Sequence, residues 1–348
     1  MSAQPAAPPE ELKRKDFMTP NDVRWCPGCG DYAILNSLQR TLPDLGIKRE
    51  DYCIISGIGC SSRFPYYMQT YGFHTIHGRA PSVATGVKVA NPDLSVWIIT
   101  GDGDGLSIGG NHTLHLLRRN LDVNVLLFNN RIYGLTKGQY SPTSPEGTRT
   151  KTTPTGSIDY PVNPLLFALG AEATFIARTV DNNPKHMVET FKAAHAHKGV
   201  SFVEVFQNCV IFNDGAFDDV YSKATRDEQL LVLEEGKPLT WGGKEHTKGL
   251  RLNGLYPEVV DLDGVDPSEL IVHNPRQDSP IQAQMLANLS NPDFPTPIGV
   301  FRQIERPVYE EQVGDQIKAA QDAKGEGSWK ELLHGKSTWT VNEGGSEG

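Results

Sequence analysis

The residues best placed to do chemistry sit in short motifs rich in glycine. Gly101-Asp102-Gly103-Asp104-Gly105 follows the apolar run Val96-Trp97-Ile98-Ile99-Thr100. In open parallel sheets, ligands bind outside the carboxyl ends of the strands. Glycines there let the backbone approach a diphosphate, and the helix that follows offers its first amides. Asp102 would add a hard oxygen for a cation bridging the phosphates. A second apolar run, residues 123–128, ends in Asn129-Asn130. Twenty-five residues separate Gly103 from Asn129, room for one helix and one strand. Asp102 and Asn130 are therefore expected on neighbouring strand ends, able to hold one magnesium from two sides. Two other readings of the motif fail. A dinucleotide fingerprint needs a last glycine where this chain has Leu106, counted from Gly101, or Ile108, counted from Gly103. An EF-hand starting at Asp102 needs glutamate where the chain has Thr113.

The five cysteines are Cys26, Cys29, Cys53, Cys60 and Cys209. Cys26-Pro27-Gly28-Cys29 could be a redox dithiol or half of a zinc or iron–sulfur site. A thioredoxin-like dithiol follows a strand, but only a polar arm precedes Cys26. Cys60, in Gly57-Ile58-Gly59-Cys60-Ser61-Ser62, and Cys209 both come just after apolar runs, so both are expected at strand ends. Four thiolates there suit zinc or a cubane cluster, and spacing does not choose between them. Cys53 lies inside an apolar run and reads as a buried small hydrophobe. His77 and Arg79 stand where they could meet phosphate oxygens. His112 and His115, three apart, read as a helix face. Lys137 and Gln139 lie in the loop after the asparagines, where they would touch substrate or solvent.

Alternating elements must position these residues. Apolar runs at 52–56, 95–100, 123–128, 173–177 and 202–206 read as strands, with a strand-like stretch at 73–76. Residues 30–42, 81–90, 106–119, 164–169 and 184–197 read as helices. The pattern predicts an α/β fold, a mostly parallel sheet with helices on both faces. Residues 130–163 read as a long functional loop. Beyond residue 235 the alternation weakens. A hairpin or loop-rich stretch is expected around 241–255, helices at 281–289 and 310–323, and a mobile tail after Lys336. The division expected is an arm (1–24), a cofactor domain (25–235) and a C-terminal extension (236–348) serving subunit contacts.

The chain has 348 residues, 38% of them hydrophobic, and a net charge of −9. No stretch approaches the roughly 20 apolar residues that span a bilayer. Residues 1–16 lack the apolar core of a signal peptide. A cytoplasmic protein without a membrane or nucleic-acid partner is expected, since no basic block is present.

Six separated motifs occur in an order that resembles the beta subunits of 2-oxoacid:ferredoxin oxidoreductases. They are Trp25-Cys26-Pro27-Gly28-Cys29-Gly30, Gly57 to Ser62, His77-Gly78-Arg79, the Gly-Asp-Gly block, Asn129 to Thr136, and Cys209. The likeness runs from about residue 20 to 235 and is nearest to the 2-oxoglutarate branch. It implies a thiamine diphosphate fold of the diphosphate-binding type. It implies that Asp102, Asn130 and the Ile132 carbonyl hold magnesium, and that Cys26, Cys29, Cys60 and Cys209 hold one [4Fe–4S] cluster. Ile58, Gly59, Cys60, Ser61, His77, Gly78, Arg79, Ala80, Gly103, Asp104, Gly134 and Leu135 would line thiamine diphosphate. Arg63 would touch the substrate, its guanidinium pairing with the distal carboxylate of 2-oxoglutarate. The implied activity is oxidative decarboxylation of a 2-oxoacid with coenzyme A, with electrons passing through the cluster to ferredoxin. The chain shows no second α/β unit for the pyrimidine half of the cofactor. An alpha subunit is therefore expected to supply the activating glutamate and most coenzyme A contacts. The alternatives are a non-redox thiamine diphosphate decarboxylase or synthase, and a zinc-bound structural subunit.

Overall fold

The computed structural model describes residues 12–339 and 341. Residues 1–11 of the expected arm, and residues 340 and 342–348 of the expected mobile tail, lie outside the described residues. Six strands form the parallel body of the main sheet: β1 (Tyr52–Ser56), β2 (Tyr71–His74), β3 (Ser95–Gly101), β4 (Val123–Asn129), β5 (Phe175–Val180) and β6 (Ser201–Phe206). Five more follow: β7 (Leu230–Val232), β8 (Thr240–Trp241), β9 (Lys248–Asn253), β10 (Tyr256–Asp261) and β11 (Thr296–Gln303). The main sheet runs in the order β2-β1-β3-β4-β6-β5-β11-β7, and β8 to β10 make a separate antiparallel sheet.

The central strands are mostly apolar because both faces are covered, and the buried charges of Arg178 on β5 and Glu204 on β6 pair with each other at 2.6 Å. Along β1, β3 and β4, Cys53, Ile55, Val96, Ile98, Val125 and Leu127 join one core, beneath α2 (Ala80–Ala90), α3 (Gly110–Arg119) and α4 (Pro164–Gly170). Tyr52, Ile54, Trp97, Ile99, Leu126 and Phe128 join the other, beneath α1 (Asp31–Thr41) and α5 (Pro184–Ala196). Side chains alternate with period two, so Cys53 faces the core opposite to the one that Cys29 and Cys60 pack against. Helix starts are set locally. The Asn163 side chain accepts from two α4 amides, the Asn183 side chain accepts from one α5 amide, and proline takes the first position of each helix.

Four elements differ from the sequence expectations, the first being β2, which spans Tyr71–His74 against the expected 73–76. The helix predicted over 106–119 begins as a wide turn, Asp104–Ile108, closed by Gly109 N donating to Asp104 O at 3.0 Å. Gly78 and Gly109 pack too closely there for any side chain, and the widened turn accommodates the approach. The strand predicted at 173–177 starts two residues later, at Phe175. The segment read as an extension also contributes a strand. β11 pairs antiparallel with β5 and carries β7 on its outer side, so part of residues 236–348 builds the main sheet. Pro297 and Gly299 disguise that strand in the sequence. Among the described residues no helix is long and apolar enough to cross a membrane.

The fold carries a pH dependence away from the motifs. His197 is buried and shares a hydrogen bond of 2.8 Å with Thr174 Oγ1. Burial pushes its imidazole down to about 4, against about 6.5 when unfolded. Below pH 6.5 the unfolded chain gains a proton that the folded chain refuses. This contribution to stability is therefore present at neutral pH and is lost as pH falls toward 4. His197→Gln should reduce the loss of unfolding free energy between pH 7 and pH 5 by about 2 kcal/mol, measured by urea denaturation. The same pH slope in both proteins would exclude His197 as a source.

Candidate functional site

Parallel strands bring the motifs to one edge. The registers Gly101↔Phe128 and Asn129↔Phe206 put the ends of β3, β4 and β6 side by side. Asp102, Asn130 and Gln207 each come one residue after their strand. A cavity of about 120 Å³ at this edge is walled by Ile58, Gly59, Cys60 and Ser61 beyond β1, and by His77. Asp102, Gly103 and Asp104 beyond β3, and Asn130, Ile132, Gly134 and Leu135 beyond β4, complete it. Gly59 has φ +135°, which glycine tolerates best, and a Cβ built on it would meet nothing within 4 Å. The cavity floor at this point is thus bare backbone, the surface a diphosphate needs.

Asp102 is almost fully buried. Its Oδ2 accepts from Ser141 Oγ at 2.5 Å and from Thr143 Oγ1 at 2.6 Å. Burial pushes its carboxyl above the ordinary range, and those hydrogen bonds offset the shift only in part. An opposite charge beside it would favour the ionised form. Asn130, at the end of the neighbouring strand, lines the same cavity, its Oδ1 accepting from Ile132 N at 3.2 Å. These carboxylate and amide oxygens are the ligands a hard cation prefers.

Asp104 has another job. Its carboxylate accepts from Ile58 N at 3.0 Å, Gly78 N at 2.7 Å, Thr100 Oγ1 at 2.6 Å and His77 Nδ1 at 2.5 Å. One buried side chain thereby ties the loop after β1 and the His77 turn to β3. Gly78, Arg79 and Ala80 do not line the cavity. Gly78 is held by Asp104, Arg79 is exposed at the start of α2, and Ala80 is in the core.

The thiols form the next compartment. Cys26, Cys29, Cys60 and Cys209 wall a cavity of about 210 Å³, together with Asp31, Arg63 and Gln207. The Cys26–Cys29 turn closes through Cys29 N donating to Cys26 O at 3.1 Å, with Gly28 at φ +85°. Trp25 Nε1 donates to Cys60 O at 2.7 Å, and Gly30 N donates to Asn208 O at 3.1 Å. The turn is thereby fixed to both other cysteine loops. A Cβ on Gly134 would lie 3.5 Å from Cys209 Sγ and 3.6 Å from Cys60 Sγ, so this glycine brings the backbone beside both sulfurs.

Burial and the neighbouring Asp31 carboxyl push the Cys60 thiol up to about 12 and raise Cys29 further. Asp31 is itself pushed up to about 7 by burial and by Asp181. Such crowded acids call for compensating positive charge. Among the described residues no three His, Cys, Asp or Glu side chains converge as a ready single-ion site.

The two compartments share a wall made of Cys60, Asn130, Gly134 and Leu135. A third opening, about 460 Å³, touches the first at Ile58, Gly59 and Leu135 and the second at Arg24 and Arg63. Several residues here carried no sequence signal. Ser141 and Thr143 are ordinary members of a loop rich in Ser and Thr.

Residues 57–205 match the family described as thiamine pyrophosphate enzyme, C-terminal TPP binding domain. The chain is 51% identical over 333 residues to the 2-oxoglutarate oxidoreductase subunit KorB of Mycobacterium tuberculosis, covering 95% of this chain and 89% of that relative. It is 45% identical over 185 residues to the 2-oxoglutarate synthase subunit KorB of Methanocaldococcus jannaschii, covering 53% of this chain and 68% of the relative. A solved structure of 2-oxoglutarate:ferredoxin oxidoreductase from Magnetococcus marinus, with 2-oxoglutarate, coenzyme A and succinyl-CoA bound, is similar at a TM-score of 0.71. That likeness has 34% identity and covers 93% of this chain and 95% of the other.

Proposed function

The chain belongs to the family of 2-oxoacid:ferredoxin oxidoreductase beta subunits, and from that premise we propose which reaction it serves and which residues serve it. It is the cofactor-bearing subunit of an enzyme that oxidatively decarboxylates 2-oxoglutarate with coenzyme A, giving an acyl-coenzyme A and carbon dioxide. Thiamine diphosphate supplies the electron sink for loss of carbon dioxide, and a [4Fe–4S] cluster carries the electrons singly to ferredoxin. Asp102, Asn130 and the Ile132 carbonyl hold magnesium. The backbone of Ile58 to Ser61, Gly103-Asp104 and Gly134-Leu135 receives the cofactor. Cys26, Cys29, Cys60 and Cys209 hold the cluster.

The shared wall of Cys60, Asn130, Gly134 and Leu135 carries this reading. Two sites separated by one layer of residues suit direct electron transfer between their occupants. The wall shared with the cofactor cavity, and the likeness to a ferredoxin-reducing enzyme, support a cluster over zinc. A partner alpha subunit supplies the glutamate that activates the pyrimidine and most coenzyme A contacts. The enzyme works in the cytoplasm. Residues 25–235 serve the cofactors, and the rest serves mainly subunit contacts. The test is a single turnover: 2-oxoglutarate added anaerobically to the assembled complex, without ferredoxin, should reduce the cluster. A cluster that stays oxidised while carbon dioxide is released would overturn the redox reading in favour of a plain decarboxylase.

Arg63 supports the choice of substrate. It is half-buried and lines both the thiol compartment and the opening next to the cofactor cavity. Its guanidinium can pair with the distal carboxylate of 2-oxoglutarate, a charge-assisted contact worth about 1.5–3 kcal/mol. Arg63→Leu should lower kcat/KM for 2-oxoglutarate by about 10- to 100-fold and leave turnover of pyruvate far less affected. An equal loss for both substrates would remove Arg63 as the discriminator. A wild-type complex that prefers pyruvate would overturn the substrate itself.

A further inference from the structure

Gln207 is buried where β6 ends, on the wall of the thiol compartment and bonded to Asn130 of the shared wall. A directional chain of hydrogen bonds runs through it. The Ile132 backbone N–H donates to Asn130 Oδ1 at 3.2 Å, which turns Asn130 Nδ2 outward. That nitrogen donates to Gln207 Oε1 at 2.8 Å. Gln207 Nε2 then donates to Asn208 O at 2.5 Å and to Cys29 Sγ at 3.3 Å. Backbone groups anchor both ends, since Ile132 N can only donate and Asn208 O can only accept. Neither amide can flip without setting two acceptors or two donors against each other.

We propose that Gln207 is a positioning residue that couples the cation site at Asn130 to the thiolate of Cys29. This rests on the reading above, in which the thiols hold an iron–sulfur cluster. The coupling has two parts. By accepting from Nδ2, Gln207 keeps Asn130 Oδ1 turned toward the cation. By donating to Cys29 Sγ, it stabilises the more negative, reduced cluster and raises its potential. A cation on Asn130 Oδ1 polarises that amide, which strengthens its bond to Gln207 and, in turn, the bond from Gln207 to sulfur. Binding of thiamine diphosphate with magnesium should therefore raise the cluster potential. Reciprocally, a reduced cluster should bind the cofactor more tightly. Electron acceptance is thus favoured when the neighbouring site is filled.

The test is a redox titration of the assembled complex, followed by the electron paramagnetic resonance of the cluster, with and without thiamine diphosphate and magnesium. In Gln207→Leu the oxidised-to-reduced ratio at the wild-type midpoint should rise about tenfold, which is ~59 mV for a one-electron couple. The upward shift on cofactor binding should vanish, and cofactor affinity should fall about tenfold. Gln207→Glu keeps an acceptor for Asn130 but loses the donor to Cys29. Its midpoint should fall as well, while its cofactor affinity stays near wild type. Either variant with wild-type iron and an unmoved midpoint overturns the coupling. Loss of iron from both variants overturns it too, because a residue that only tunes the cluster is not needed to hold it. A wild-type complex without iron or labile sulfide would instead defeat the cluster reading on which the coupling rests.

Discussion

Asp102→Ala is expected to weaken binding of thiamine diphosphate with magnesium by more than about 100-fold. Removing even a partner of a metal ligand costs 10- to 100-fold in affinity, so removing the ligand itself should exceed that range. The diphosphate would lose the cation that bridges it to the protein, and the glycine backbone cannot replace that charge. Stability gives a second readout. Alanine leaves the hydroxyls of Ser141 and Thr143 without their carboxylate acceptor, which costs about 1–3 kcal/mol for a buried group. Asp102→Asn keeps an acceptor for them and removes only the charge. Ligand that binds the folded state raises its melting temperature. The wild-type complex should therefore melt higher with cofactor and magnesium, and Asp102→Asn should melt at the same temperature with or without them. A wild-type thermal shift in Asp102→Asn would refute a role for this carboxylate in holding the cation.

Cys209→Ala should cost the protein its cluster, whereas Cys53→Ala should keep all of it. Cys209 walls the same compartment as Cys26, Cys29 and Cys60, and its sulfur, like that of Cys60, lies beside Gly134. Cys53 is buried in β1 on the other face of the sheet, in the core under α2. Losing one of four ligands opens the cluster to solvent and oxygen. Losing the Cys53 sulfur only leaves a small void, worth roughly 1 kcal/mol of stability. Anaerobically prepared Cys53→Ala should hold wild-type iron and show the same broad visible absorption, and Cys209→Ala should lose both. Equal iron in the two variants would exclude Cys209 as a ligand.

How far the sequence could be read follows from where its constraints lie. β1, β3 and β4 stood out because burial on both faces leaves each a continuous apolar run with few polar residues to blur it. The Asp102 and Asn130 motifs stood out because a strand end meeting a phosphate restricts its residues to few types. β11 did not, since a proline and a glycine interrupt an otherwise apolar stretch and the strand joins the sheet from far along the chain. The hydroxyls on Asp102 come from a loop whose other serines and threonines look the same. Gln207 is invisible because its role depends on the β4–β6 register, which puts it beside Asn130. Arg79, which its motif marks as a cofactor contact, is exposed at the start of α2, where only a bound ligand would reveal its role. Likewise Asp104, although it lines the cavity, spends its carboxylate on tying neighbouring loops together.

The most direct test is elemental: iron, acid-labile sulfide and zinc measured per chain in the complex, purified without oxygen. The proposed cluster, held by the four cysteines that wall one cavity, predicts about four irons and four sulfides per chain, with no stoichiometric zinc. One zinc per chain, with neither iron nor sulfide, would contradict the account.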